Sequence, residues 1–320
     1  MSWPRLVADV GGTNARFAVQ LRAHAALEHL AVTPSDRHAS LRDAIRWYLA
    51  EQQLPPPAAA AIGIANPVTG DQVSMTNHDW SFSIAELQAA LGLERLLVLN
   101  DFAVLALALP RLRDEDLRQV GGGAAAKDAP LAVIGAGTGL GMAGLLPRPG
   151  GRFVAVAGEG GHGTLAAADE FEDRIVARLR TRFGHASAER ALSGPGLENL
   201  HEACAAITGE PASPLAAPEI TRRALAGEDA LCQRAVELFF SFLGTEAGNL
   251  ALTLGARGGV YISGGVTPRL QPLMDASPFR RRFEAKGRFA RYLQPIPTWV
   301  IDSEFSPGLI GAAVALDQAD

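Results

Sequence analysis

Cysteine is scarce: Cys204 and Cys232 are the two thiols in 320 residues. Two thiols so far apart build neither a disulfide framework nor a cysteine-rich metal cluster. Both lie in helix-like sequence, where a thiol behaves as a small core residue. Long apolar runs are also missing. No stretch reaches the roughly 18 consecutive apolar residues needed to span a bilayer. The start, Met1-Ser2-Trp3-Pro4-Arg5, lacks the apolar region and cleavage site of a secretory signal, so the cytoplasm is the expected location. There is no surplus of positive charge either. A net charge of -5 gives no support to a partner held through nucleic-acid phosphates, which needs a basic face. The densest basic run, Arg280-Arg281-Arg282, is expected to be a solvated face. Finally, no Gly-x-x-x-x-Gly-Lys-Ser/Thr occurs, which excludes a P-loop.

What is present is ordinary for a packed globular chain: 48% apolar and 20% charged residues. At this length two domains are the default. Leu6-Val7-Ala8-Asp9-Val10 is an apolar run stopped by Gly11-Gly12 and resumed by Ala15 to Val19, which predicts two strands joined by a tight turn. Helical spacing of Leu41, Ile45, Tyr48 and Leu49 predicts a helix from Ser40 to Gln53, ended by Pro55-Pro56-Pro57. A buried strand over Ala58 to Ala65 follows, then a turn at Asn66 to Asp71. Ser83 opens a second helix with Glu86 three residues on, a capping box. Leu96 to Leu99 is again a strand, ending at Asn100-Asp101. Gly121 to Pro130 reads as a surface excursion. Helices are expected between Ala166 and Leu254, and a last one from Pro307 to Leu316 packs on the first domain. Strands alternating with helices indicate an α/β fold with a largely parallel or mixed sheet.

Three glycine turns follow three apolar strands. After Leu131 to Ile134 comes Gly135-Ala136-Gly137-Thr138-Gly139, a weak internal echo of the opening segment. After Val260 to Ile262 comes Ser263-Gly264-Gly265. Glycines let backbone N–H groups converge on an anion without a Cβ in the way, and Thr13 and Thr138 add hydroxyl donors. Asp9, at a strand end, is suited to hold Mg²⁺ through water, because hard cations prefer carboxylate oxygens and keep much of their hydration. The plain alternative for residues 9–13 is a hairpin. Gly-x-Gly-x-x-Gly occurs at residues 139–144 and 158–163, but neither lies between a strand and a helix as a dinucleotide fingerprint must.

Asn100-Asp101 lies at a strand end, where α/β sheets bind ligands. A carboxylate there is either a general base for an alcohol or part of an Asx turn or helix cap. Glu159 and His162 sit in a glycine-framed run, 158–163, where polar side chains tend to face a cleft. They suit vicinal hydroxyls; zinc is the rival, but the spacing lacks a helix and a third ligand nearby. Glu189 by itself is a surface charge.

Together these segments resemble the bacterial glucokinase family of the hexokinase/actin-like ATPase superfamily. The likeness rests on residues 7–16, 67–71, 75–80, 99–102, 135–141, 158–162, 189–196, 249–252 and 262–265, in the family's order across nearly the whole chain. It implies a two-lobed actin-like ATPase (ribonuclease H-like) fold with mixed sheets flanked by helices. The small α/β domain would span residues 1–110, completed by a C-terminal helix at 305–320; the large one would span 111–304. By resemblance Asp101 is the catalytic base, and Asn100, Asp101, Glu159, His162 and Glu189 contact glucose. Ala8, Asp9, Val10, Gly11, Gly12 and Thr13 match the ATP-binding stretch, with Gly137, Thr138, Gly264 and Gly265 from the other turns expected to assist. The family works as a cytoplasmic homodimer with ATP and Mg²⁺. Two departures stand out. Ala8 replaces a common glycine, and Gly163-Thr164-Leu165 replaces a bulkier acidic-aromatic stretch.

The implied reaction is transfer of the ATP γ-phosphoryl group to the 6-hydroxyl of glucose, the entry step of glycolysis. A kinase for mannose, fructose or an N-acetylated amino sugar is the near alternative, since fold and base would be unchanged. A sugar-responsive regulator on the same fold is the remote one. Such proteins usually carry an N-terminal helix-turn-helix and a cysteine-rich zinc loop, for which a glycine turn at residue 11 and two distant cysteines leave no room.

Overall fold

The computed structural model describes residues 3–319 apart from His24, Asn77, Ala212 and Glu304. Asn77, within the 75–80 motif, and Asp320, at the end of the expected C-terminal helix, lie outside the described residues. Two compact units form. The first comprises Met1–Arg113, Arg148–Ala157 and Ser303–Asp320; the second comprises Asp114–Pro147 and Gly158–Asp302.

In the first unit, β1 (Arg5–Val10), β2 (Asn14–Gln20), β3 (Glu28–Pro34), β4 (Ala59–Ile64) and β7 (Arg95–Asn100) form one sheet in the order β3-β2-β1-β4-β7. β1 runs antiparallel to β2 and parallel to β4, and β4 runs parallel to β7. β4, Ala-Ala-Ala-Ile-Gly-Ile, is buried on both faces, as a central parallel strand must be. A hairpin of β5 (Gln72–Ser74) and β6 (Ser81–Ser83) stands apart from this sheet. α1 (Leu41–Glu51) starts where Ser40 Oγ accepts the Asp43 N–H, and it buries Leu41, Ala44, Ile45 and Tyr48 at helical spacing. α2 (Ile84–Leu91) starts at Ser83, whose Oγ accepts the Glu86 N–H, and stops at left-handed Gly92. Asp71 Oδ1 takes the Ala85 N–H; hydrogen bonds from Ser83 first, then Ala85, hold its carboxyl below the ordinary range. α3 (Asp101–Ala108) and α11 (Pro307–Gln318) close one face of the sheet, with Val7, Ala61, Val104, Leu309 and Ala312 in a common core. Phe153 N–H donates to Gln318 Oε1 of α11 at 2.8 Å, which ties in segment 148–157, a stretch that the sequence-based boundaries assign to the other domain.

The second unit is built on a sheet of β8 (Leu117–Gln119), β9 (Leu131–Ala136), β10 (Leu140–Arg148), β12 (Gly259–Ser263) and β13 (Thr298–Ile301), in the order β10-β9-β12-β13-β8, while β11 (Arg152–Gly158) belongs to segment 148–157 of the first unit. Its helices are α4 (Glu170–Phe183), α5 (Gly194–Thr208), α6 (Ala217–Ala226), α7 (Ala230–Leu254), α8 (Thr267–Met274), α9 (Phe279–Glu284) and α10 (Ala290–Leu293). Phe239, Phe240 and Phe242 of α7 are fully buried with Phe279 and Phe283 of α9. Cys204 and Cys232 lie inside α5 and α7, both buried, as small core residues.

The run Arg280-Arg281-Arg282 is not the solvated face expected of it. Arg282 pairs with Glu172 at 2.7 Å, with side-chain exposures of 12% and 3%, and donates to Thr245 Oγ1. Arg280 donates to Glu284 and to the carbonyls of Ile296 and Gln294. A planar guanidinium with five donors can satisfy several acceptors at once inside a unit, so charge density in sequence misjudged these two positions.

Candidate functional site

In the first unit, strand register sets the geometry. Val10 pairs with Ile64, and Ile64 with Asn100, so β1, β4 and β7 end level with one another. Asp9, level with Leu99, and Asp101, two residues further on, therefore lie at the same end of these strands, about 12 Å apart by two strand spacings and that offset. The turn at residues 11–13 is a hairpin between antiparallel strands: Gly11 N–H donates to Asn14 O at 2.9 Å. Ser35 clasps it, donating through its N–H to Thr13 O and through Oγ to Gly11 O. Ala8 and Val10 point into the core, leaving them only backbone groups to offer. Thr13 is exposed.

Asp9 Oδ2 accepts the Ser306 hydroxyl at 2.9 Å and faces Arg16 Nη1 at 3.6 Å. A Cβ on Gly308, in the first turn of α11, would stand 2.9 Å from Asp9 Cγ. The carboxylate thus rests against a helix N-terminus, where negative charge is favoured. Nothing in the sequence around Asp9 announces Ser306 or Gly308, which are some 300 residues away; only the closing of α11 onto β1 brings them in.

Asn100 is the cap of α3, as its plainer reading held. Its Oδ1 accepts the N–H groups of Phe102 and Ala103 at 3.0 and 3.1 Å. Its amide serves a second end: Asn100 Nδ2 donates to Asp101 Oδ1 at 3.0 Å, and Phe102 N–H donates to the same oxygen at 2.9 Å. Two N–H donors on one oxygen fix the plane of the Asp101 carboxylate at the strand end. Asn66, read from sequence only as part of a turn, supports this cap: its carbonyl accepts from Asn100 Nδ2 at 3.5 Å, while its Oδ1 accepts the Thr76 N–H.

In the second unit the remaining candidates converge on the end of β9. Gly264 has φ +95 and lies so close to Ala136 that a Cβ would collide with the Ala136 carbonyl. Both constraints demand glycine. Gly265 and Gly137 face open space. Gly137 O accepts the Gly194 N–H at 2.8 Å, which fixes the second glycine turn to the start of α5. Thr138 is exposed. Glu189 is not a mere surface charge, since its Oε2 accepts the Leu140 N–H at 3.0 Å.

Glu159 and His162 flank a single helical turn, with His162 N–H donating to Glu159 O at 3.0 Å. Their side chains approach to 3.9 Å and are 52% and 60% exposed, available to a ligand. Ala188 N–H donates to Gly163 O at 2.9 Å, which brings the Glu189 segment beside this turn. The departure at 163–165 packs well: Leu165 is buried, and Thr164 Oγ1 lies 3.0 Å from His185 Nε2. So Glu159, His162, Glu189 and the Gly137-Thr138 turn share one neighbourhood within this unit.

One other titratable group stands out. His201, Asp229 and Cys232 lie within 4.8 Å of one another, and among the described residues they are the one such set of metal-ligand type. Asp229 is already committed: Oδ1 caps α7, accepting the N–H groups of Leu231 and Cys232, and Oδ2 faces Arg223 at 3.6 Å. Burial lowers the His201 pKa and pushes the Cys232 thiol up to about 11, so the set reads as a helix cap. Among the described residues no helix is long and apolar enough to cross a membrane.

The chain matches known proteins along its length. A family model described as Glucokinase covers residues 6–319. The chain is 54% identical over 315 residues to the glucokinase of Chromobacterium violaceum, covering 98% of this chain and 90% of that protein. It is 53% identical over 319 residues to the glucokinase of Aromatoleum aromaticum, covering 99% and 96%. Among solved structures, glucokinase from an Antarctic psychrotroph matches with a TM-score of 0.90 at 37% identity, covering 99% of this chain and 100% of that one.

Proposed function

Since the chain belongs to the glucokinase family, we propose that it transfers the γ-phosphoryl group of ATP to the 6-hydroxyl of glucose, giving glucose 6-phosphate and ADP. The observation that carries the reading is the Asp101 carboxylate, held at a strand end by two N–H donors and level with the Asp9 turn. Asp101 takes the proton from the sugar hydroxyl as that oxygen attacks the γ-phosphorus and the bond to the ADP oxygen breaks. Asn100 holds the Asp101 carboxylate through its amide and offers a further contact to the sugar. Glu159, His162 and Glu189 accept or donate to the remaining sugar hydroxyls. The N–H groups around Gly11-Gly12, Gly137-Thr138 and Gly264-Gly265 receive phosphate oxygens, with fixed dipoles that need no reorganisation during transfer.

Mg²⁺ fits Asp9 through water better than through direct bonding, because Oδ2 already accepts from Ser306 and faces Arg16. When bound with ATP the ion neutralises charge on the phosphates. The family resemblance adds a cytoplasmic homodimer to the reading.

Replacing Asp101 tests it. A positioned base contributes about 10²- to 10⁴-fold in rate, so Asp101→Asn is expected to lose that much kcat in steady-state assays while glucose binding, read by calorimetry, persists. Near-normal turnover in the variant would remove Asp101 from the role.

A further inference from the structure

The second glycine turn is clasped at both ends by one segment. At its start, Gly194 N–H donates to Gly137 O at 2.8 Å. At its exit, the Glu189 carboxylate accepts the Leu140 N–H at 3.0 Å. The fit there is close, since a Cβ on Gly139 would collide with Glu189 Oε2. Between the clasps, Ser193 Oγ donates to Glu189 O at 2.9 Å and caps α5 through the Gly196 N–H. The hydrogen bond from Leu140 N–H thus ties a side chain that, in the proposed function, meets the sugar to the backbone at the exit of the turn.

We propose that Glu189 is also a positioning residue for the nucleotide turn, so that sugar and nucleotide binding are coupled through the hydrogen bond from Leu140 N–H to Glu189 Oε2. This rests on the reading above, in which sugar meets Glu189 and phosphate meets Gly137-Thr138. An ionised carboxylate has about four acceptor sites on two oxygens. Oε2 serves the turn, and Oε1 is on the same rigid group to accept from a sugar hydroxyl. Sugar bound to Oε1 restrains the side chain, and through Oε2 it restrains the turn. The ordering cost of the turn is then met before nucleotide arrives, and the second ligand binds more tightly without any change of fold. The effect is reciprocal: nucleotide tightens sugar by the same factor.

The test is the Kd of a non-hydrolysable ATP analogue with Mg²⁺, measured by calorimetry on the full chain with and without saturating glucose. Wild type is expected to bind the analogue about 5-fold or more tightly when glucose is present, the lower end of typical coupling. Gly139→Ala drives the carboxylate off Leu140 N–H and moves Oε1 with it, so glucose is expected to bind more weakly, and at glucose saturating for the variant the coupling factor is expected to fall toward one. Glu189→Asp, one methylene shorter and unable to span to Leu140 N–H, is expected to lose coupling likewise and serves if Gly139→Ala does not fold. A merely structural role for Glu189 would lower both affinities and leave their ratio intact. Wild-type coupling in a folded variant overturns the proposal, as does wild type that binds both ligands independently. Wild type that binds no glucose overturns the functional reading itself.

Discussion

At the scale of single residues, burial and hydrogen bonding decide behaviour that composition cannot. His201 is buried on α5, and burial is the larger cause that lowers its pKa, with Arg223 adding and Asp229 opposing; the Cys232 thiol lies beside it. A histidine held below its unfolded value of 6.5 contributes stability that is present above that pH and lost as pH falls through the folded value. Thermal melts between pH 7.5 and 5, a window set about that value, should therefore show a smaller acid-side loss of Tm in His201→Gln than in wild type. Parallel curves for the two would contradict the assignment. Gly264 gives a sharper case. With φ +95 and Ala136 O in the way of any Cβ, Gly264→Ala is expected to cost about 1–3 kcal/mol, seen as a lower denaturation midpoint in urea. An unchanged midpoint would mean that this turn relaxes freely. Residue placement was partly legible in the sequence: the cap at Asn100 and the exposed turn carrying Glu159 and His162 could be picked out from residue type and flanking glycines, while the roles proposed for these residues come from the family resemblance. The partners of Asp9, and the amide that Glu189 holds, could not be picked out, because no local pattern encodes a contact between remote segments.

At the scale of elements, local propensity and long-range packing part company. α1 and α2 start at the predicted serines, because a hydroxyl cap is a property of a few adjacent residues. The arginine run at 280–282 was misjudged because its partners, Glu172 on α4 and Thr245 on α7, meet it only after three helices pack. Removing one member of a buried pair strands the other, so Glu172→Ala is expected to destabilise by about 3–5 kcal/mol in chemical denaturation. A loss within the range of an exposed pair would show that the bridge is hydrated. α11 packs on α3 with no gap: a Cβ on Gly311 would collide with Val104 O. Gly311→Ala should therefore cost about 1–3 kcal/mol by overpacking, with a matching fall in Tm, although alanine is the better helix former in isolation. A rise in Tm would show that propensity outweighs packing there.

At the scale of the molecule, the chain has the actin-like ATPase fold of its family, with mixed sheets flanked by helices. Alternating strands and helices made the α/β class legible in the sequence, and the resemblance to the family's motifs implied this particular fold. What the sequence left open, and what strand register supplies, is the level ending of β1, β4 and β7 that sets Asp9 and Asp101 at one end of these strands. The second unit gathers Glu159, His162 and Glu189 around the end of β9 in the same way. Both sets of residues bear on the same claim, that this chain phosphorylates glucose from ATP. The most direct measurement is ADP release by the purified chain with ATP and Mg²⁺ across glucose, mannose, fructose and N-acetylglucosamine, with the product of each identified. The account predicts the highest kcat/KM for glucose and a product phosphorylated on its 6-hydroxyl. A higher kcat/KM for any other sugar of the panel, or no sugar-dependent ADP release at all, would contradict it.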